Sequence, residues 1–465
     1  MFNATPIISA IALDLGTTSI KAGLLDQNGA LRNIVALPAP GITVSGGRYE
    51  SDALDYAATT ERVLDQCAAH AGGALPLGLC SQRSSFLIWN KADGQPLTPL
   101  ISWQDNRGSK SCEDLLANEG IIRDLTALRL TPYYFAPKLR IVLQENPGWR
   151  ARLERGELLV GTLDTFLIWR WTGGQHHVTD VSMAARTLLM NIRQRQWSSA
   201  LCNFFGIPQH ILPLIKPSAD MNLLLINGLT LQASLGDQSA ALIASVREDR
   251  AEALVNLGTG GFVIRYLKEE KTALDGYLQT LVYRGKDLHI HIAIEGTLNS
   301  ITAALAPYPA DECCLADLAS DEIFCLAEPS GLGAPYFRSD MGIRFSQSVE
   351  HLSRQKIACL LLEAIIFRVA RILEDFHCEI ALERAYLTGG LSELVCLQQG
   401  IAQCVPFAVY RLKQKDASLQ GAALLAAGMA SASHREEERI FITHNRSLPE
   451  KYQRWKGWLD VLLNA

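Results

Sequence analysis

Two segments of this chain resemble each other closely enough to dictate a duplicated fold. IALDLGTTSIKAGLLD begins at Ile11 and ALVNLGTGGFVIRYL begins at Ala253. Each is an apolar run, then Asp or Asn, Leu, Gly and Thr, then small residues and a second apolar run. Asp14 aligns with Asn256, roughly 240 positions later, a separation close to one whole domain. Short apolar runs around a Gly-Thr turn predict a β-hairpin whose turn uses glycine's freedom at positive φ. A tight turn would explain either segment alone. The pair predicts two related lobes, and small residues with exposed backbone N–H groups can form a concave anion site at each turn. Two such turns facing each other could hold a polyphosphate.

A chain of 465 residues exceeds what one core usually supports, so two domains are expected, 1–244 and 245–465, joined by a hinge near residue 245. Between the paired segments, strand-like runs such as GLCSQRSSFLIWN (78–90) alternate with helix-like runs such as ALDYAATTERVLDQCAAHA (53–71), an α/β pattern. The run at 354–376 has apolar residues at helical spacing and neither Gly nor Pro, which predicts a long buried helix. AYLTGGLSE (385–393) reads as strand, Gly-Gly turn and helix start. SLQGAALLAAG (418–428) reads as a closely packed helix of small residues. The polar tail from Ser431 ends near Trp455 and Trp458, which are expected to dock on the body.

With 48% hydrophobic and 20% charged residues the composition is that of an ordinary globular protein. A formal net charge of -5 gives no general attraction for nucleic acid or anionic membrane. No apolar stretch approaches the roughly 18 residues of a membrane span, and the first apolar run lacks a basic start. These features predict a cytoplasmic protein whose partner is a small molecule, with no nucleic acid and no membrane; a homodimer is left open. Eleven cysteines, odd in number and scattered without a Cys-x-x-Cys pair, predict free thiols in a reducing compartment. His176-His177, after Gly173-Gly174, reads as a solvated turn rather than a metal site. No dedicated protein cage for a metal is expected.

The candidate chemistry starts at Leu235-Gly236-Asp237-Gln238-Ser239. Placed before the apolar run AALIA, Asp237 reads first as a helix-start residue. Its place just before the second phosphate-type turn adds a functional reading. Phosphoryl transfer to an alcohol needs positioning, charge neutralisation and a carboxylate to accept the hydroxyl proton. Asp14 and Asp237 can divide those tasks.

These residues resemble the FGGY carbohydrate kinases, and within them the glycerol kinase branch. Gly161-Thr162-Leu163-Asp164-Thr165, Leu167-Ile168-Trp169, His177-Val178-Thr179-Asp180 and Ala185-Arg186-Thr187 look like that branch's central segment, in order. Asp14, Leu15, Gly16, Thr17, Thr18 and Ser19 resemble the family's first phosphate motif. Gly258-Thr259-Gly260 resembles the second, and Gly389-Gly390 the adenosine-side turn. Gly236-Asp237-Gln238 matches the segment holding the family's catalytic aspartate.

The resemblance implies a duplicated actin-like, ribonuclease H-like α/β fold with a nucleotide cleft between its lobes. It implies a substrate site and first phosphate motif in 1–244, and the second phosphate and adenosine motifs in 245–465. It further implies an ATP-dependent transfer of the γ-phosphoryl group to a hydroxyl of a small polyol or sugar, with Asp237 as general base. Mg2+ would come with the ATP, Asp14 reaching it through water. Arg83, Trp103, Tyr133, Asp237 and Gln238 would bind the substrate.

Ser84 stands where glycerol kinases carry a glutamate that binds substrate hydroxyls. Asp105, in Trp103-Gln104-Asp105-Asn106-Arg107, looks like kinases of ketoses and larger polyols and is expected to supply the missing carboxylate. The contrasting reading is a non-catalytic nucleotide switch or pseudokinase on the same fold, opening and closing on a protein partner. Asp14, Asp237, the glycine turns and the Arg83, Trp103, Tyr133 set favour the enzyme.

Overall fold

In the computed structural model, residues 6–464 are described, apart from 72, 74, 269–273, 443, 444 and 446. The chain forms two compact units. The first comprises Met1–Ala244, Thr280–Ile292 and Asp416–His434; the second comprises Ser245–Gln279, Ala293–Lys415 and Arg435–Ala465. The first long run ends at Ala244, and two later segments return to the first unit. A division into consecutive halves does not include them, because the packing of a later helix, not its place in the chain, decides where it belongs.

The first unit is built on strands β1 (Ile8–Leu15), β2 (Ser19–Asp26), β3 (Leu31–Pro38), β4 (Pro76–Ser81), β5 (Ala219–Leu224) and β6 (Thr230–Gly236), in the order β5-β6-β4-β1-β2-β3. β1 and β2 are antiparallel, whereas β4 runs parallel to both β1 and β6. Helices contact the sheet along this centre: α1 (Ala53–Ala68) meets β1 and β2. α2 (Phe135–Glu145) and α3 (Asp237–Ser245) follow in the chain. Burial on both faces is why β1 and β4 read as continuous apolar runs rather than as alternating ones.

A seven-stranded sheet, whose central strands belong to the second unit, contains β7 (Glu252–Leu257), β8 (Gly261–Leu267), β9 (Leu278–Arg284), β10 (Ile290–Leu298), β11 (Arg384–Thr388), β12 (Ala408–Leu412) and β13 (Glu437–Arg439), in the order β9-β10-β8-β7-β11-β12-β13. Its centre repeats the first unit's: β7 is antiparallel to β8 and parallel to β11, and β11 is parallel to β12. Register makes the duplication residue-specific. Asp14 lies opposite Lys21 and Cys80, and Asn256 lies opposite Phe262 and Thr388.

The long apolar run forms α4 (Arg354–Glu379), with Leu360, Ile365, Val369 and Leu373 in the core of the second unit. The small-residue run forms α5 (Ala417–Ala426), which packs on β1, β4 and β6. Two glycines make that approach possible. A Cβ on Gly78 would meet the Ala422 carbonyl oxygen at 2.1 Å, and one on Gly421 would meet that of Ala240 at 1.8 Å. The tail forms α6 (Ser447–Asn464), where Trp455 is fully buried and donates Nε1–H to the Cys325 carbonyl at 2.9 Å.

Two local expectations change. The run at 78–90 is interrupted: β4 ends at Ser81 and a strand of a separate five-stranded sheet starts at Phe86, leaving Gln82–Ser85 free of strand pairing. His177 is not in a solvated turn. Its Nε2 donates to the Val160 carbonyl at 2.9 Å and its ring packs edge-on to Trp89. Burial lowers its pKa to about 4. All eleven cysteines are free thiols. Among the described residues no helix is long and apolar enough to cross a membrane.

Candidate active site

In the first unit the end of β1 brings Asp14 to the turn Gly16-Thr17-Thr18. The turn does not use the positive φ expected of its glycine: Gly16 lies outside the left-handed region, as do Gly258 and Gly260. Glycine is required by space instead, since a Cβ on Gly16 would sit 2.6 Å from the Ser19 carbonyl oxygen. Thr18 is exposed, while Gly16, Thr17 and Ser19 are half-buried.

The turn is tied to the segment after β4 by side chains. Tyr56 of α1 donates its hydroxyl to the Gly16 carbonyl at 2.7 Å. Thr17 donates to Gln82 Oε1 at 3.0 Å and accepts Nε1–H of Trp103 at 2.9 Å. Trp103 stacks edge-on against Tyr133, with centroids 5.2 Å apart. A hydrogen bond and a ring contact thus link the first phosphate motif to two expected substrate residues.

Asp237 opens α3, and its Oδ1 accepts the N–H of Gln238 at 2.7 Å. Arg83 is buried, with Nε 3.7 Å from Asp237 Oδ1. The close approach depends on Gly236, where a Cβ would meet Arg83 Cδ at 2.9 Å. Gly236 is held by Ser182, whose Oγ accepts its N–H at 2.8 Å; Asp180 in turn caps the one-turn helix Val181–Ala184 that carries Ser182. Burial raises the Asp237 carboxyl above its ordinary range, against the opposing charge of Arg83. Gln238 Oε1 is buried and has no hydrogen-bond partner.

Asp14 accepts a hydrogen bond from Ser418 of α5 at 2.6 Å. Burial, with the like charge of Asp237 acting in the same direction, raises its pKa from 3.8 to about 6. A carboxyl raised in the folded state contributes stability below its unfolded pKa, and that contribution is lost as pH rises through the folded value. Asp14→Asn is therefore expected to raise the thermal midpoint at about pH 8 and leave it nearly unchanged at about pH 4, while lowering turnover. Thermal denaturation at both pH values measures this; a midpoint unmoved at the higher pH contradicts it.

Asp105 is a correction. It is fully buried, and both carboxylate oxygens are occupied. Oδ1 accepts from Arg107 N at 3.0 Å and Nε at 2.8 Å, and Oδ2 accepts from Tyr49 N at 2.8 Å and Arg107 Nη2 at 2.9 Å. It holds a loop together and cannot replace the glutamate absent at Ser84. Ser84 does not replace it either, because its hydroxyl donates to the Arg186 carbonyl at 3.0 Å.

In the second unit, Gly258-Thr259-Gly260 joins β7 to β8. Thr302 donates to the Gly258 carbonyl at 2.7 Å, and a Cβ on Gly260 would lie 2.9 Å from the Leu298 carbonyl oxygen. Gly389 follows β11 with φ +91°, and a Cβ there would meet the Leu257 carbonyl oxygen at 2.4 Å and Asn256 Oδ1 at 2.6 Å. Gly390 starts a 3-10 turn and has open space around it. The two expected nucleotide motifs of this unit are therefore side by side.

Sequence reasoning missed Tyr56, Gln82 and Ser418. Gln82 was adjacent to a candidate, but nothing local to Ser418 marks it as the partner of a residue near the opposite end of the chain.

Residues 9–254 match the model of the N-terminal domain of the FGGY family of carbohydrate kinases, and residues 253–430 match that of its C-terminal domain. Glycerol kinase of Pseudomonas putida is 30% identical over 445 residues, covering 90% of this chain and 87% of that protein. Glycerol kinase of Alkalilimnicola ehrlichii is 32% identical over 443 residues, covering 90% and 89%. Among solved structures, Plasmodium falciparum glycerol kinase with ADP superposes with a TM-score of 0.84 at 22% identity, over 98% of each chain. Xylulose kinase from Rhodospirillum rubrum gives 0.82 at 18% identity, over 97% of this chain and 98% of the other. These superpositions agree with the duplicated actin-like α/β fold expected from the sequence.

Proposed function

The chain belongs to the FGGY family of carbohydrate kinases, and from that premise we propose that Asp237 is the general base of its phosphoryl transfer to a ketose or small polyol. The protein is an ATP-dependent carbohydrate kinase, a transferase with an alcohol group as acceptor. The observation that carries the site assignment is the convergence, within the first unit, of Arg83 on Asp237 and of Trp103 on Thr17. It puts a carboxylate, a buried cation and an aromatic wall beside a phosphate-type turn.

In this reading Arg83, Trp103 and Tyr133 bind the acceptor, and Gln238 accepts a hydrogen bond from one of its hydroxyls at the unpartnered Oε1. Asp237 takes the proton of the attacking hydroxyl, its raised pKa bringing it nearer to the operating pH. Ser84 and Asp105 are both committed elsewhere. A guanidinium such as that of Arg83 can donate to the carbonyl oxygen of a ketose as well as to a polyol hydroxyl.

Gly16, Thr17, Thr18 and Ser19, together with Gly258, Thr259 and Gly260, serve as phosphate-binding turns, and Gly389 and Gly390 as the adenosine-side turn. Mg2+ fits this chain: Asp14 is an oxygen donor whose carboxyl is held near 6 by burial and the like charge of Asp237, a cost that a divalent cation offsets. Asp14 would hold it through water, and the ion would supply charge neutralisation on the phosphates.

The alternative of a non-catalytic nucleotide switch or pseudokinase is separated by one experiment. ADP release is measured with glycerol, larger polyols and ketoses. Stimulation by at least one acceptor is expected; ATP binding with no stimulation by any of them would sink the proposal.

A further inference from the structure

We infer that Lys138 is the positioning residue of the acceptor pocket, its side chain joining the two backbone segments that carry Arg83 and Trp103. The inference rests on the reading of those residues as acceptor-binding. Lys138 lies in α2, which begins two residues after Tyr133. It is fully buried, and its Nζ donates to the Ser84 carbonyl and to the Ser102 carbonyl, each at 2.9 Å. Ser84 directly follows Arg83, and Ser102 directly precedes Trp103. A single ammonium thus spans three parts of the pocket wall that are far apart in the chain.

The segment at Arg83 needs such a restraint. It lies in the gap between β4 and the next strand, so no sheet ladder holds it. Ser84 has φ +66°, in the left-handed region that a serine adopts only at a cost. Conformations of that kind persist where the surroundings over-determine them, and they gather at functional sites. Here the surroundings are the Lys138 bond to the Ser84 carbonyl and the Ser84 bond to Arg186.

Packing alone does not account for an ammonium at this position. Burial lowers its pKa to about 7, with Arg107 acting in the same direction and Asp105 opposing. The Phe86 ring centroid lies 5.8 Å from its Nζ. An apolar side chain of similar length would fill the volume without that cost. What only the lysine supplies is the pair of donated hydrogen bonds.

Lys138→Met keeps length and bulk and removes both bonds. Steady-state kinetics of the full chain, with an acceptor that the wild type phosphorylates, are expected to show the acceptor KM raised about 10- to 100-fold. The KM for ATP should change much less than the acceptor KM, since Lys138 bonds directly to neither phosphate turn and reaches Thr17 only through Trp103. Lys138→Arg should recover part of the loss. Equal changes in the two KM values, or an unchanged acceptor KM in a folded Lys138→Met variant, overturns the inference. Should Lys138→Met not fold, Lys138→Arg decides: a selective rise in acceptor KM supports it, and none overturns it. A wild type that no acceptor stimulates defeats the underlying kinase reading, and this inference with it.

Discussion

Asp237→Asn is expected to lower kcat by about 10²- to 10⁴-fold while leaving ATP binding within about twofold of wild type. Asparagine keeps the shape of the side chain at the start of α3 but cannot accept a proton from the acceptor hydroxyl. It also removes the carboxylate 3.7 Å from Arg83, so a buried cation loses an opposing charge and the acceptor KM should rise as well. The wild-type rate should fall on the acidic side of a pKa above the ordinary carboxylate value, because burial raises Asp237 and the base must be ionised to act. In the Asn variant that acidic limb should disappear. A coupled ADP-release assay across pH, with nucleotide binding followed by calorimetry, reads all three quantities; a variant within about tenfold of the wild-type kcat contradicts the assignment.

Asp105→Ala should act on stability rather than on acceptor choice. Four hydrogen bonds end on this carboxylate, three of them from Arg107. Burial alone would raise its pKa, but the bonds from Arg107 and Tyr49 win and hold it below the ordinary range. Removing it leaves the buried guanidinium of Arg107 with Glu50 as its remaining ion-pair partner. Breaking a buried pair from one side costs about 3–5 kcal/mol. In a chain of two units, unfolding need not be two-state, so the shift is best read as the midpoint of the first urea transition. The relative kcat/KM for polyols and ketoses should remain that of the wild type. Full stability combined with a selective rise in acceptor KM would restore Asp105 as a substrate ligand.

The duplicated hairpins were legible because each needs the same short pattern of apolar residues, glycine and threonine, and the register places Asp14 and Asn256 at equivalent positions. The long helix α4 was legible from its period alone. Asp237 was legible as a helix-start residue, and it does open α3.

Asp105 was misread because its neighbour Arg107, two residues on, folds back onto it, and a sequence does not tell a paired carboxylate from an open one. The turn glycines were located correctly but for the wrong cause: close backbone approach, not positive φ, requires glycine at Gly16. Ser418 and the return of α5 to the first unit lay beyond local pattern altogether, since they depend on Gly78 and Gly421 letting a helix from the end of the chain settle on β4 and α3.

The most direct test of the central claim follows the phosphoryl group itself. ATP labelled at its γ-phosphate is incubated with the wild-type protein and the acceptor that most stimulates ADP release, alongside Asp237→Asn. The label should appear as a phosphate ester of an acceptor hydroxyl with the wild type, and at a rate lower by at least about 100-fold with the variant. Label recovered only as inorganic phosphate, or transferred equally fast by both proteins, would contradict the account.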